Sequence, residues 1–328
     1  MSSLIYSRIL ALGSKLSSFE YSKRFLENFG IDLHQIYRAL STIAEVSDFI
    51  ISEVYKNSLS FMKRNTNILY YDCTNFFFEI ENPEGIRRYG VSKENRPNPI
   101  VQYGLFMDAD GIPLAFCVNS GNTNEQTTLK PLEKKIILDY GKSKFVVCTD
   151  AGLPSITNRK FNNDAIKAFV ATQSIKQFKE HIKEWALSPD GWSNGTKNVY
   201  NINDIDEDLY RDTIFFKERR INENGLEQRL IATYSIKYRD NQRRIRNNQI
   251  CRATKVLNNK NIDSKCQTDY KRLIVKTPVT IDGEIASNEI RTLNDELISR
   301  ESRFDGFYGV YTNLEGDVKD IVKINKHR

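Results

Sequence analysis

The run ILYYDCTNFFFEI, Ile68 to Ile80, constrains this chain more than any other stretch. It is an almost unbroken series of aliphatic and aromatic residues, too short for a spanning helix and rich in β-formers, so it predicts one buried β-strand. Asp72 stands inside it. A carboxylate there gives up its hydration, which is costly unless a cation or a donor replaces the water. A strand-end Asp that merely caps a turn is the competing explanation.

The pattern returns further on. KFVVCTDAG predicts a short apolar strand ending at Asp150, with Gly152 allowing backbone or ligand to come close. Two acids on two central strands of one sheet suit a divalent cation. Mg²⁺ takes hard oxygen ligands and few of them from protein, because phosphate and water complete its shell. Two acids alone remain a weak signal.

Little else in the chain offers catalytic chemistry. Its three histidines, His34, His181 and His327, are scattered, which argues against a zinc site or a histidine-based triad. The five cysteines form no CxxC pair; Cys73, Cys117 and Cys148 fall in predicted strands and read as small buried hydrophobes in a reducing compartment. No apolar run approaches the ~20 residues of a membrane span, and the N-terminus has too short an apolar core for a signal peptide. The expected location is the cytoplasm, with no membrane partner.

The net charge of +6 is mild, but its distribution is uneven. Between Arg211 and Lys260 there are 13 Lys/Arg against 5 Asp/Glu, which suggests a patch facing a polyanion, with a solvated basic face as the alternative. Within it YRDNQRRIRNNQICRATKVL reads as a helix. Arg239, Arg243 and Arg246, at i, i+4 and i+7, share one face suited to successive phosphates, and Arg244 and Arg252 add to the basic run.

Four regions follow along the chain. Residues 1–65 are expected to be helical, with Asp32 capping LHQIYRALSTIA and Ser47 capping the next helix, whose stripe of Phe49, Ile50, Val54, Leu59 and Met62 reads as core. Residues 66–174 are strand-rich. A polar loop carrying Arg87, Arg88, Lys93 and Arg96 precedes a hairpin across Asp108–Gly111, a helix containing Pro131 and ended by Gly141, the Asp150 strand, a short helix and the strand KAFVATQS. Residues 175–300 read as a β-rich insertion holding the basic helix, with hairpin turns at Asn224-Gly225 and Asp282-Gly283; Trp185 and Trp192 are assigned to its core. Residues 301–328 return to a strand and the start of a helix. The order is mixed α/β, in which ligands gather at strand ends.

Together the segments LIYSRILALGSKLSS, YYDCTNFFFE, GLFMDADGIPLAF, GNTNE, VVCTDAG, YSIKYRDNQRRIRNNQICRA and FDGFYGVYTN resemble, in order, the DDE transposases of bacterial insertion sequences. The resemblance implies an RNase H-like (retroviral-integrase-like) domain interrupted by a β-rich insertion. It places the family's first two catalytic, metal-binding aspartates at Asp72 and Asp150. It also implies Mg²⁺, or Mn²⁺ in its place, and cleavage and strand transfer at phosphodiester bonds. The implied partners are transposon-end and target DNA, and a second copy of the chain or a full-length relative.

One departure accompanies the matches. The family's third carboxylate is a glutamate on a helix after the DGFYGVYTN-like segment, within a Tyr/Trp…Glu…Phe-Arg motif, and the sequence stops at Arg328 before any such motif. Glu315, Asp317 and Asp320 are nearby, but none sits in it. The expectation is a truncated transposase, inactive or weakly active, with a catalytically dead DNA-binding repressor of transposition as the alternative.

Overall fold

The computed structural model describes residues 2–27, 30–141, 144–164, 166–257, 269–279 and 288–327. Four helices open the chain: α1 (Ser2–Leu10), α2 (Lys15–Ser22), α3 (Leu33–Glu45) and α4 (Ser47–Ser58). Asp32 is the N-cap of α3, where its backbone N–H donates to Gln35 Oε1 at 2.8 Å. The cap of α4 is Val46, one residue earlier than the expected Ser47. The apolar stripe predicted as core on that helix faces outward instead: Phe49 is 66% and Val54 63% exposed, while Ser52 and Tyr55 are buried. Tyr55 stacks on Tyr140, so a narrow aromatic contact holds α4 to the body and leaves its broad apolar face open.

The body is an eight-stranded sheet with the strand order β3-β2-β1-β4-β5-β10-β7-β6. Its first half comprises β1 (Ile68–Phe77), β2 (Ile100–Asp108), β3 (Pro113–Ser120), β4 (Phe145–Thr149) and β5 (Lys167–Gln173). β1, β2 and β3 form an antiparallel meander, and β4 and β5 run parallel to β1. Helix α5 (Glu125–Tyr140) connects β3 to β4 and runs unbroken through Pro131, ending at Gly141 with φ +64°. Helix α6 (Ile156–Phe161) connects β4 to β5.

The second half comprises β6 (Ile214–Glu223), β7 (Leu226–Ser235) and β10 (Phe307–Thr312), followed by α10 (Val318–Lys326). Asn224 and Gly225, both at positive φ, make the tight turn of the β6–β7 hairpin. Within residues 175–300, expected from the sequence as an insertion, this hairpin joins the main sheet: β10 lies between β5 and β7, antiparallel to both. Of the rest of that region, α7 (Glu180–Leu187), α8 (Ile236–Val256) and α9 (Asp295–Ser302) are helical, and β8 (Ile274–Val279) pairs with β9 (Asn288–Leu293) in a separate ribbon. The turn expected at Asp282-Gly283 lies outside the described residues. Trp192 is fully buried among Tyr234, Phe307 and Lys217, and Trp185 packs against the same cluster, so both belong to a core.

Alternation along β1 divides two of the apolar clusters. Leu69, Tyr71 and Cys73 face Leu129, Leu132 and Ile136 of α5. Tyr70 faces the other way, into a cluster with Cys148, Val170, Val310 and the α10 residues Val318, Ile321 and Val322. Those positions on α10, with buried Asn325, recur at i, i+3, i+4 and i+7, the period that puts one helical stripe on a sheet. Among the described residues, no helix is long and apolar enough to cross a membrane.

Candidate active site

Parallel pairing of β1 with β4 aligns Ile68 with Val146, Tyr70 with Cys148 and Tyr71 with Thr149. One position beyond this last pair the two chains reach Asp72 and Asp150: Asp150 directly follows the carboxyl end of β4, while Asp72 lies midway along β1, which continues to Phe77. The two acids share parity with Tyr70 and Cys148, which both face α10, so both carboxylates belong to the α10 side of the sheet. Adjacent strands lie about 4.8 Å apart, close enough for the two side chains to share one cation.

Neither carboxylate is buried, contrary to the expectation that Asp72 gives up its hydration inside the strand. The apolar stripe of α10 covers the amino-terminal rungs of this face and stops short of the acids. Each acid is held by a local bond: Asp72 Oδ1 accepts from Cys73 N–H at 2.8 Å, and Asp150 Oδ1 from Ala151 N–H at 2.6 Å.

The surroundings come from distant parts of the sequence. The last turn of α10 is fixed beside the site by Tyr70 Oη, which donates to Ile324 O at 3.1 Å, and by Thr172 Oγ1, which bonds Asn325 Oδ1 at 2.7 Å. Lys93, in the polar loop after β1, reaches back to donate its ammonium to Cys73 O. A cleft of about 430 Å³ opens at Asp150, lined also by Lys176, Tyr238, Phe304, Tyr308 and Lys326. Sequence reading missed these five residues. They come from four separate segments, and local pattern holds no signal of their convergence.

The acids near the chain's end lie elsewhere. Asp317 caps the first turn of α10 and accepts from Lys319 N–H, while Glu315 pairs with Arg220 at 2.7 Å. The opposite end of α10 abuts the site, so a nine-residue helix, about 13 Å of rise, separates these acids from Asp150. Among the described residues, no group of three His, Cys, Asp or Glu side chains could hold a metal ion. The aspartate pair nonetheless fits Mg²⁺, which is commonly held by one or two carboxylates together with substrate phosphates.

The arginines of α8 divide by environment. Arg239 is 9% exposed and bidentate to Glu207, at 2.5 and 2.6 Å, and also bonds Asp240. Arg246 is bidentate to buried Asp305, and Arg243 lies 3.9 Å from the same carboxylate. The face formed by Arg239, Arg243 and Arg246 is therefore turned toward carboxylates of the chain itself. Arg244 and Arg252 are exposed; Arg244 bonds its neighbour Asn241, at 2.9 Å.

Two DNA transposases are among the solved structures to which the chain shows partial likeness. One is the piggyBac transposase in a synaptic complex with hairpin DNA: identity is 12% and TM-score 0.35, over 72% of this chain and 45% of that one. The other is the Mos1 transposase in a paired-end complex with the left transposon end: identity is 11% and TM-score 0.21, over 48% of this chain and 54% of that one. The chain thus spans about half the length of these transposase chains. No family model matches the chain, and no curated protein matches it.

Proposed function

We propose that the chain is an insertion-sequence transposase of the DDE type, acting on DNA phosphodiester bonds at Asp72 and Asp150. The observation that carries this reading is the register of β1 on β4, which pairs Tyr71 with Thr149 and so brings the next residue of each, the solvent-facing Asp72 and Asp150, to the same level of adjacent parallel strands. The antiparallel meander β1–β3, followed by β4 and β5 parallel to β1, is read as the RNase H-like core.

Asp72 and Asp150 would hold Mg²⁺ between them through carboxylate oxygens. A cation held there supplies Lewis-acid polarisation of a phosphoryl oxygen and makes bound water more acidic. The chain's own residues position the substrate. Lys326, which lines the cleft with Asp150, is placed to meet a phosphate beside the bond that breaks. The local bonds from Cys73 and Ala151 hold the carboxylates in one orientation, so that little reorganisation accompanies binding.

The test is nicking of supercoiled plasmid DNA with and without Mg²⁺ or Mn²⁺. Nicking that needs the metal and disappears in both Asp72→Asn and Asp150→Asn supports the enzyme. Nicking retained by either variant overturns it. A second reading, a DNA-binding repressor without cleavage activity, is favoured by the lack of a third acidic ligand among the described residues. It predicts salt-sensitive DNA binding with no nicking under any metal.

A further inference from the structure

The cleft at Asp150 is the middle of a longer trench. At one end it shares Tyr238, Tyr308 and Lys326 with a hollow of about 680 Å³ beneath the start of α8. At the other it shares Ser174, Lys176 and Phe304 with a hollow of about 890 Å³ between α7 and α9. Asp150 therefore lies on the floor of a continuous path with an arm on either side.

The cations of this path differ from those that hold α8 in place. Five of them, Lys176, Arg244, Arg300, Arg303 and Lys326, are exposed and have no carboxylate within ion-pair distance among the described residues. They are spread over both arms. Between them the walls are aromatic: Tyr238, 40% exposed, meets Tyr308 edge-on with ring centroids 5.9 Å apart, and Phe304 and Phe307 line the same cleft. Lys176 lies over the Phe304 ring at 5.8 Å.

Cations at intervals with aromatic faces between them match an unpaired polynucleotide better than a duplex. A single strand turns its base faces outward to stack on rings while its phosphates meet the cations. A duplex hides its base faces and would leave the rings against sugar and phosphate. We infer that this trench holds one unpaired nucleic-acid strand, led past Asp150 by the exposed cations and stacked on Tyr238 and Tyr308. The inference rests on the proposed phosphodiester chemistry for its purpose, but not for its test.

That test is a fluorescence-anisotropy titration of the full chain without divalent metal. The probes are labelled oligothymidylate of about twenty nucleotides, long enough to fill one site, the matching oligouridylate, and a duplex of equal length. Oligothymidylate should bind more tightly than the duplex. Five phosphate contacts predict a slope of log affinity against log salt of about −3.5. Arg244→Ala and Arg303→Ala, on opposite arms, should each make that slope shallower by about 0.7. Tyr238→Ala should weaken strand binding roughly tenfold and Tyr238→Phe should restore it, because the ring and not the hydroxyl makes the contact. Equal binding of oligouridylate supports a site that ignores the sugar, and weaker binding assigns the site to DNA. Tighter binding of the duplex, or a Tyr238→Ala variant within twofold of wild type with an unchanged melting temperature, overturns the inference. Wild-type strand binding without metal-dependent nicking would remove the enzyme reading and leave the trench standing. Nicking that survives while Tyr238→Ala and Arg244→Ala bind normally would do the reverse.

Discussion

The charges on β1 and β4 and those on α8 are handled in opposite ways. Asp72, midway along β1, and Asp150, just past the end of β4, face solvent, each held locally by the next backbone N–H. Arg239 and Arg246 are drawn in against Glu207, Asp240 and Asp305. Bidentate, half-buried pairs of this second kind secure structure, because losing one partner strands a desolvated charge. Carboxylates left in water contribute little to folding and stay available to a ligand. Sign and spacing of charge along the sequence do not distinguish these uses; the burial of the neighbours does.

The contrast can be broken experimentally, most sharply at the aspartates. Asp72→Asn should lower metal-dependent nicking by more than ~100-fold, since even changes one shell removed from a metal cost up to that much. Its stability should stay within about 0.5 kcal/mol of wild type, as for most exposed substitutions. A matching loss of stability in urea unfolding would place Asp72 among the structural charges.

Arg246→Ala should show the reverse. It strands Asp305, 6% exposed, and should destabilise the fold by about 3 kcal/mol in urea unfolding. A variant as stable as wild type but unable to bind DNA would move Arg246 to the ligand-facing class.

A buried acid outside both regions sharpens the comparison. Glu133 on α5 is fully buried, accepts one bond from Asn162 Nδ2 at 3.0 Å, and has no hydrogen-bond partner for Oε1. Burial pushes its pKa up to about 7 from 4.5. Below pH 4.5 the acid is protonated whether the chain is folded or not, so it carries no penalty. Between 4.5 and 7 the unfolded chain releases the proton and the folded one keeps it, so stability falls as pH rises. Above 7 the penalty is complete, roughly 3 kcal/mol. Glu133→Gln should therefore be more stable than wild type at pH 8 by up to about that amount, with the gain fading toward pH 4. Thermal melts across that range test it, and a gain independent of pH would contradict it. The smallest expected effect is on stability in Arg244→Ala, within about 0.5 kcal/mol, and its consequence should appear in DNA affinity alone.

Much of the framework was legible from the sequence because its causes are local. The apolar run from Ile68, the Asn224-Gly225 turn, the Asp32 cap and the Gly141 stop each depend on neighbours a few residues away, and each element forms near its expected bounds. The stripe on α4 was misread because periodicity reports that a helix has an apolar face, not that anything covers it; Phe49 and Val54 stay exposed. The β6–β7 hairpin was visible as a hairpin, but nothing in it says that β10 would carry it into the main sheet.

The sequence by itself determined the strand that carries Asp72 and the strand that leads to Asp150, because continuous apolar runs leave the backbone little alternative to buried pleated structure. Only the tertiary structure decided that those strands lie side by side in parallel and in register. It also decided that the last turn of α10 is fixed on Tyr70 and Thr172, and that Arg239 and Arg246 turn to carboxylates of their own chain. Strand pairing and ion pairing join residues far apart in the chain. Their free energy depends on which surfaces the whole fold brings together and removes from water, and local pattern does not contain that information.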